Sequence, residues 1–277
     1  MALITRKRMG RLALYIALAA ITLTWMLPYL WMVMTSFRDP SEPFSAGIFP
    51  RRLVLTNYEA ALARSGLLNS FRNSFFVASG ASLLALGLAI FAGYGFSRFK
   101  FAGHGALLVF LLIIKTLPGV LIAIALFIIA GKLGMFDSLW TLVLVNAMLN
   151  LPFAIWNMRT VYDALSPELD EAAMIDGCNR VRAIFQVLLP VSLPGVVATF
   201  AFLFILSWNE YLFALTFIAS PDKTLVPPAI ASYIGQFAAD YTGLITASVM
   251  ASVPLGILFL AIQRYIVVGL SLGAVKG

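Results

Sequence analysis

Six apolar runs pattern the chain, residues 12–37, 73–97, 105–131, 138–158, 193–217 and 241–263, separated by segments where Arg, Lys, Asp, Glu and Pro collect. Each run reaches the ~20 residues that an α-helix needs to cross a hydrocarbon core of about 30 Å, so each predicts a membrane-spanning helix. The first exceeds the apolar core of a cleaved signal and is expected to persist as a span, kinked at Pro28. In the second, Gly80, Gly87, Gly93 and Gly95 predict close approach of neighbouring helices. The third is interrupted by Lys115 and by Pro118-Gly119, and the fifth, from Leu193 to Phe217, carries Trp208-Asn209-Glu210-Tyr211. Of the connecting segments, 38–72 is polar and proline-rich with a short helix expected over Thr56–Leu62, 132–137 reads as a brief turn, and 219–240 carries Pro221, Pro227 and Pro228.

Between the fourth and fifth runs lies a segment of different character, Ser166 to Gly195, polar yet patterned as two helices. Ser166 and Pro167 suit a helix start, and Glu168, Asp170 and Glu171 follow where the helix dipole favours negative charge. Leu169, Ala172 and Ala173 share one face by spacing, and Gly177 can supply the left-handed residue that ends the helix. Beyond it, Val181, Ile184, Phe185, Leu188 and Leu189 recur at three and four as a second apolar stripe, with Pro190 and Pro194 stopping the pattern.

A chain of 277 residues that is 61% hydrophobic and 11% charged is an integral membrane protein by composition. The net charge of +7 does not indicate nucleic acid, because the Lys and Arg residues are scattered at the ends of apolar runs. With six spans, eleven basic and five acidic residues fall on the side of the hairpin and seven basic and six acidic on the other. The balance places both termini in the cytoplasm, although the five arginines of 38–72 run against it. One cysteine, Cys178, excludes an internal disulfide, and His104 is the single histidine, so no His/Cys metal cluster is expected. There is no GxxxxGK[ST] loop for ATP, no cofactor motif and no repeat of 20 to 50 residues.

Glu171-Ala172-Ala173, three residues, Gly177, nine residues, Val187, one residue and Leu189-Pro190 resembles the EAA loop of ABC importer permeases, with valine where that pattern usually has isoleucine. Lys132–Trp140 (KLGMFDSLW), Leu151–Ala154 (LPFA), Trp208–Tyr211, Gln263-Arg264-Tyr265 and the terminal Gly273–Gly277 are similar to the carbohydrate-importer permeases of the kind that includes the maltose transporter's smaller permease. The resemblance implies an all-α, six-span type I importer permease fold. It divides the chain into residues 1–69, a permease domain 70–265 with its EAA loop at 163–195, and a tail 266–277. It further implies a second permease, two ATP-binding subunits, an external solute-binding protein, and a bacterial inner-membrane location. Glu171, Ala172, Ala173, Asp176, Gly177, Leu189 and Pro190 would couple to the ATPases, and Gly273, Lys276 and Gly277 of the tail would also reach them.

Trp208, Asn209 and Glu210 have two readings, a sugar path lined by an aromatic ring and hydrogen-bonding groups, or helix packing and polar satisfaction between permeases. Lys115 costs about 2.5 to 3.5 kcal/mol at the membrane centre, so it is expected to face a polar cavity or a partner. Contact with an anionic substrate, pairing with Glu210 and snorkelling are all open. The competing class is a carrier driven by an ion gradient, with Lys115 and Glu210 as its coupling pair, but the halves show no repeat. A membrane enzyme lacks a nucleophile or paired catalytic carboxylates.

Overall fold

The computed structural model describes residues 2–44, 47–64, 66–235 and 239–274, with side chains described from residue 10 to residue 265 within them. The elements are helices: α1 Ala2–Ser36, α2 Thr56–Ala63, α3 Leu67–Arg98, α4 His104–Thr116, α5 Gly119–Lys132, α6 Leu139–Asp163, α7 Glu168–Ile175, α8 Arg180–Val191, α9 Leu193–Trp208, α10 Leu212–Phe217, α11 Val226–Ala231 and α12 Tyr241–Ala274. Four are long and apolar enough to cross a membrane (Gly10–Ser36 within α1, α3, α6, and Tyr241–Tyr265 within α12), and two bent pairs raise the number to six.

The bends follow from proline. α4 and α5 meet at 94°. Leu117, the residue before Pro118, is extended (φ −68°, ψ 136°), as the clash with the proline ring demands. α8 and α9 meet at 86° at Ser192, with Pro194 in the first turn of α9. Pro28, by contrast, lies inside α1 without ending it. The fifth run is not one helix to Phe217. α9 stops at Trp208, and the chain turns before α10.

Two compact units emerge from the packing, Met1–Ser65 with Ile230–Ser252, and Gly66–Ala229 with Val253–Gly277. In the first, Asn57 of α2 donates from Nδ2 to the carbonyl oxygens of Ser36 (2.9 Å) and Arg38 (2.7 Å), tying the short helix to the end of α1. The buried guanidinium of Arg38 donates to the carbonyl oxygens of Pro43, Gly47 and Ile48 and so shapes the following loop. α1 itself is bare from residue 10 to residue 28, every side chain there being exposed; beyond it the Tyr29 hydroxyl shares a hydrogen bond with Ser252 Oγ (2.8 Å) and Trp31 stacks on Phe44 (6.4 Å).

The second unit is built on α3 against α6 and α9. Val77, Ala81, Ala85, Ala89 and Gly93 recur every four residues on α3, and all are buried. Apolar groups gain little by leaving lipid for protein, so such helices associate through close contact, which this stripe of small residues permits. Only two of the four glycines do what their grouping predicted. A Cβ on Gly93 would lie 2.7 Å from Met158 Cβ and 2.9 Å from the Arg159 backbone nitrogen, and one on Gly80 would lie 3.2 Å from a Val143 methyl. Gly87 and Gly95 face open space. At the opposite end, Phe136 packs edge-on against Phe127 of α5 (4.5 Å) and stacks on Phe217 of α10 (6.0 Å).

Candidate functional site

The hairpin between α6 and α9 forms as two helices joined at a glycine. Ser166 Oγ accepts from the Glu168 amide (3.3 Å), and Glu168, Asp170 and Glu171 occupy the first turn of α7. Gly177 is left-handed at φ +85°. The Cys178 amide reaches back to the Ala173 carbonyl oxygen (3.0 Å) and the Gly177 amide to Met174 (3.1 Å), the paired bonds of a Schellman ending. Asn179 then caps α8 through Oδ1, which accepts from the Arg182 amide at 2.9 Å.

The faces differ from the stripes read in the sequence. On α7, Asp170 and Ala173 are buried and Leu169 half-buried, while Ala172 is exposed with Glu171, Met174, Ile175, Asp176 and Gly177. Asp170 draws this face inward, because its Oδ2 accepts from Arg98 Nε at 2.8 Å. On α8, Ala183, Ile184 and Leu188 are buried and Leu189 is half-buried, but Val181 and Phe185 are exposed. Val181 lies in the first turn, and from Ile184 to Leu188 the helix makes a π turn. Its wider turn shifts the facing of the residues around it and carries the helix through Pro190, which sequence spacing took as a stop. Pro190 is exposed, and the helix ends one residue later, at Val191. The result is an outward surface of Glu171, Ala172, Met174, Ile175 and Val181, with Ile175 86% exposed at its tip.

Arg98, Asp170 and Asn179 were not singled out by the sequence pattern. Arg98 closes an apolar run like any interfacial cation, and Asp170 reads as one more acidic first-turn residue. Only the fold shows that they meet.

The second set of candidates separates in space. Trp208 is 3% exposed, stacked on Phe204 (5.7 Å) and tilted against Phe71 (6.2 Å). Asn209 is exposed, its Nδ2 donating to the Ile205 carbonyl oxygen. Glu210 caps α10: its Oε1 accepts from the Phe213 amide (2.7 Å) and Oε2 from the Ala214 amide (2.9 Å). Lys115 Nζ donates to Asn150 Oδ1 (3.2 Å), and Asn150 Nδ2 donates to Ser207 Oγ (3.3 Å), a short polar chain from α4 through α6 to α9. Lys115 and Glu210 therefore have different partners, and no ion pair joins them among the described residues. Asn150, one of three asparagines in an apolar run with Asn146 and Asn157, was the available signal for this chain of groups. In the tail, Gly273 lies in α12, whereas Lys276 and Gly277 lie outside the described residues.

Residues 85–271, more than half of the chain, match the family model described as the binding-protein-dependent transport system inner membrane component. The chain belongs to that family. It is a permease subunit of an ABC importer, a multi-pass membrane protein and not an enzyme, and such permeases work with ATPase subunits and a binding protein. The permease is 30% identical to the trehalose/maltose transport system permease protein MalG of Thermococcus litoralis, over 96% of this chain and 97% of the relative. It is likewise 30% identical to the sulfoquinovosyl glycerol transport system permease protein SmoH of Agrobacterium fabrum, over 97% of this chain and 95% of that one. A chain of the bacterial ABC transporter involved in import of the acidic polysaccharide alginate shares the fold, with a TM-score of 0.78 at 18% identity over 94% of this chain and 97% of that one.

Proposed function

We infer that this permease translocates a sugar, or a related polyol or oligosaccharide, handed over by an external solute-binding protein. The names of the two 30%-identical permeases support the substrate class. The observation that carries the mechanism is the outward surface of the hairpin. An acidic group, a small residue and exposed apolar side chains (Glu171, Ala172, Met174, Ile175, Val181) lie together between two spans, where a cleft on an ATPase subunit can receive them. In this reading Glu171 pairs with a basic group of the ATPase and Ala172 allows close approach. Ala173 instead seats α7 on the permease, and Gly177 makes the turn between the two helices. Asp176, Leu189 and Pro190 complete the hairpin's shape.

One permease of this kind, a second permease, two ATPase subunits and the binding protein make up the working assembly, with 70–265 as the permease domain, 266–277 as a tail that also reaches the ATPases, and both termini cytoplasmic. ATP binding favours the arrangement with the ATPases closed and the hairpins swung inward, which shifts the cavity from inward- to outward-facing. Trp208, Asn209, Glu210 and Lys115 remain candidates for the substrate path, with Lys115 the one group there suited to an anionic substrate.

Purification of the tagged chain in mild detergent is expected to bring an ATPase and a second six-span permease, identified by mass spectrometry. Glu171→Lys, exposed and far from the core, is expected to cut ATPase recovery at least tenfold while leaving the second permease bound. Recovery of the chain alone, active in ATP-free vesicles, would overturn the reading.

A further inference from the structure

Docking through the exposed face of α7 does not explain why the helix turns a carboxylate inward. Asp170 is 6% exposed, and one of its oxygens, Oδ2, rests on Arg98 Nε at 2.8 Å. The other, Oδ1, is buried with no hydrogen-bond partner, as is the Tyr162 hydroxyl. The Tyr94 hydroxyl, also on α3, lies beside the carboxyl, but among the described residues the guanidinium is its one ion-pair partner, and that guanidinium is shared. Arg98 ends α3, and it donates through Nη1 to the carbonyl oxygen of Tyr162 (3.0 Å) in the last turn of α6 and through Nη2 to that of Leu165 (3.2 Å) just beyond it. One side chain thus holds the end of α3, the end of α6 and the first turn of α7. Nearby, the backbones of α3 and α6 are pressed together at Gly93.

We propose that the Arg98–Asp170 pair is the link that carries movement of the hairpin into the two spans, so that α7, α3 and α6 shift as one body. The proposal rests on the hairpin being the ATPase-docking element. The apolar contacts of α7, Leu169 and Ala173, resist separation but allow sliding. A charge-assisted bond whose donor is forked onto two further carbonyls is directional, and parting it strands a buried charge. Both residues act by positioning and touch no substrate.

The test uses the complete complex with its ATPases, in a Cys178→Ser background, with spin labels at Glu168→Cys on α7 and Leu88→Cys on α3, both exposed sites. The inter-label distance is measured by pulsed electron resonance without nucleotide and with Mg-ATP and vanadate. With the pair intact the distance is expected to stay constant between the two conditions. In Asp170→Asn it is expected to change by several ångströms on nucleotide addition, with ATPases still bound and hydrolysing. A distance that changes equally in both proteins, or in neither, overturns the link. Should Asp170→Asn fail to accumulate, the Arg98→Met, Asp170→Leu double variant removes both buried charges together, and the same two outcomes decide. Loss of the ATPases from the unmodified complex would instead remove the docking reading, a result separate from failure of the link.

Discussion

At Gly93 a single hydrogen sets how closely α3 and α6 meet. Gly93→Ala pushes a methyl to 2.7 Å from Met158 Cβ and 2.9 Å from a backbone nitrogen that cannot swing aside. The expected cost is about 1–3 kcal/mol, the range for overpacking, seen as a lowered thermal midpoint in detergent. Gly95→Ala, with nothing within 4 Å, is expected to leave the midpoint unchanged. A second residue-scale case is Asp137, itself at φ +55°. Lys223 Nζ (2.8 Å) and the Ser220 hydroxyl donate to its Oδ2, and the Ser220 and Ala219 amides to Oδ1, holding its carboxyl well below the usual carboxylate range, while Asp137 in turn pushes the Lys223 ammonium up. A carboxyl whose folded pKa is depressed contributes stability above its unfolded pKa of about 3.9 and loses it as pH falls through the folded value. Protection of the Ala219 and Ser220 amides in hydrogen exchange, corrected for intrinsic rate, is therefore expected to hold from pH 7 to pH 5 and to decline below pH 4. Asp137→Ala is expected to abolish that protection at every pH.

Among the elements, the hairpin turn is the most exacting. Gly177 alone reaches φ +85° without strain, so Gly177→Ala is expected to cost about 1–2 kcal/mol and to loosen the Schellman ending. Faster exchange of the Gly177 and Cys178 amides, with the spans unchanged, is the measurement that checks it. The turn was legible because glycine, the Ser166 cap and acidic first turn are local chemistry, written within the twelve residues from Ser166 to Gly177. So were the break at Pro118 and the short helix α2, both consequences of nearby residues. The buried faces were not. Ala172 and Ala173 are the same residue type, and which one faces inward depends on Arg98, some seventy positions earlier. The offset between Phe185 and the buried Leu188 arises across a π turn, and a reading at 3.6 residues per turn has no means of finding one. Likewise Trp208, Asn209 and Glu210 read as one cluster along the chain, yet the break after α9 sends one into the packing, one to the surface and one onto the start of α10.

For the molecule as a whole, the proposed six-span topology puts both ends on one side, and the charge bias favours the cytoplasmic one. Reporter domains fused before α1 and after residue 277 are expected to read as cytoplasmic, and a reporter in the segment after α1 as external; opposite sides for the two ends would remove the six-span topology. The alternative of a carrier powered by coupled ions loses its chemical basis here, since Lys115 leans on Asn150 and Glu210 on helix amides. The bare stretch of α1 has a consequence for how the chain is made. A helix that is exposed throughout residues 10–28, with no hydrogen bond, ion pair or ring contact from there to another described element, needs no later residue in order to partition into lipid. It can settle in the bilayer while the ribosome is still translating the segment that follows, so the earliest step of biogenesis is uncoupled from folding of the core. By the same reasoning an unrelated apolar helix of equal length could replace residues 10–28 and leave the permease to assemble behind it, provided Tyr29 and Trp31 are kept for their contacts with Ser252 and Phe44.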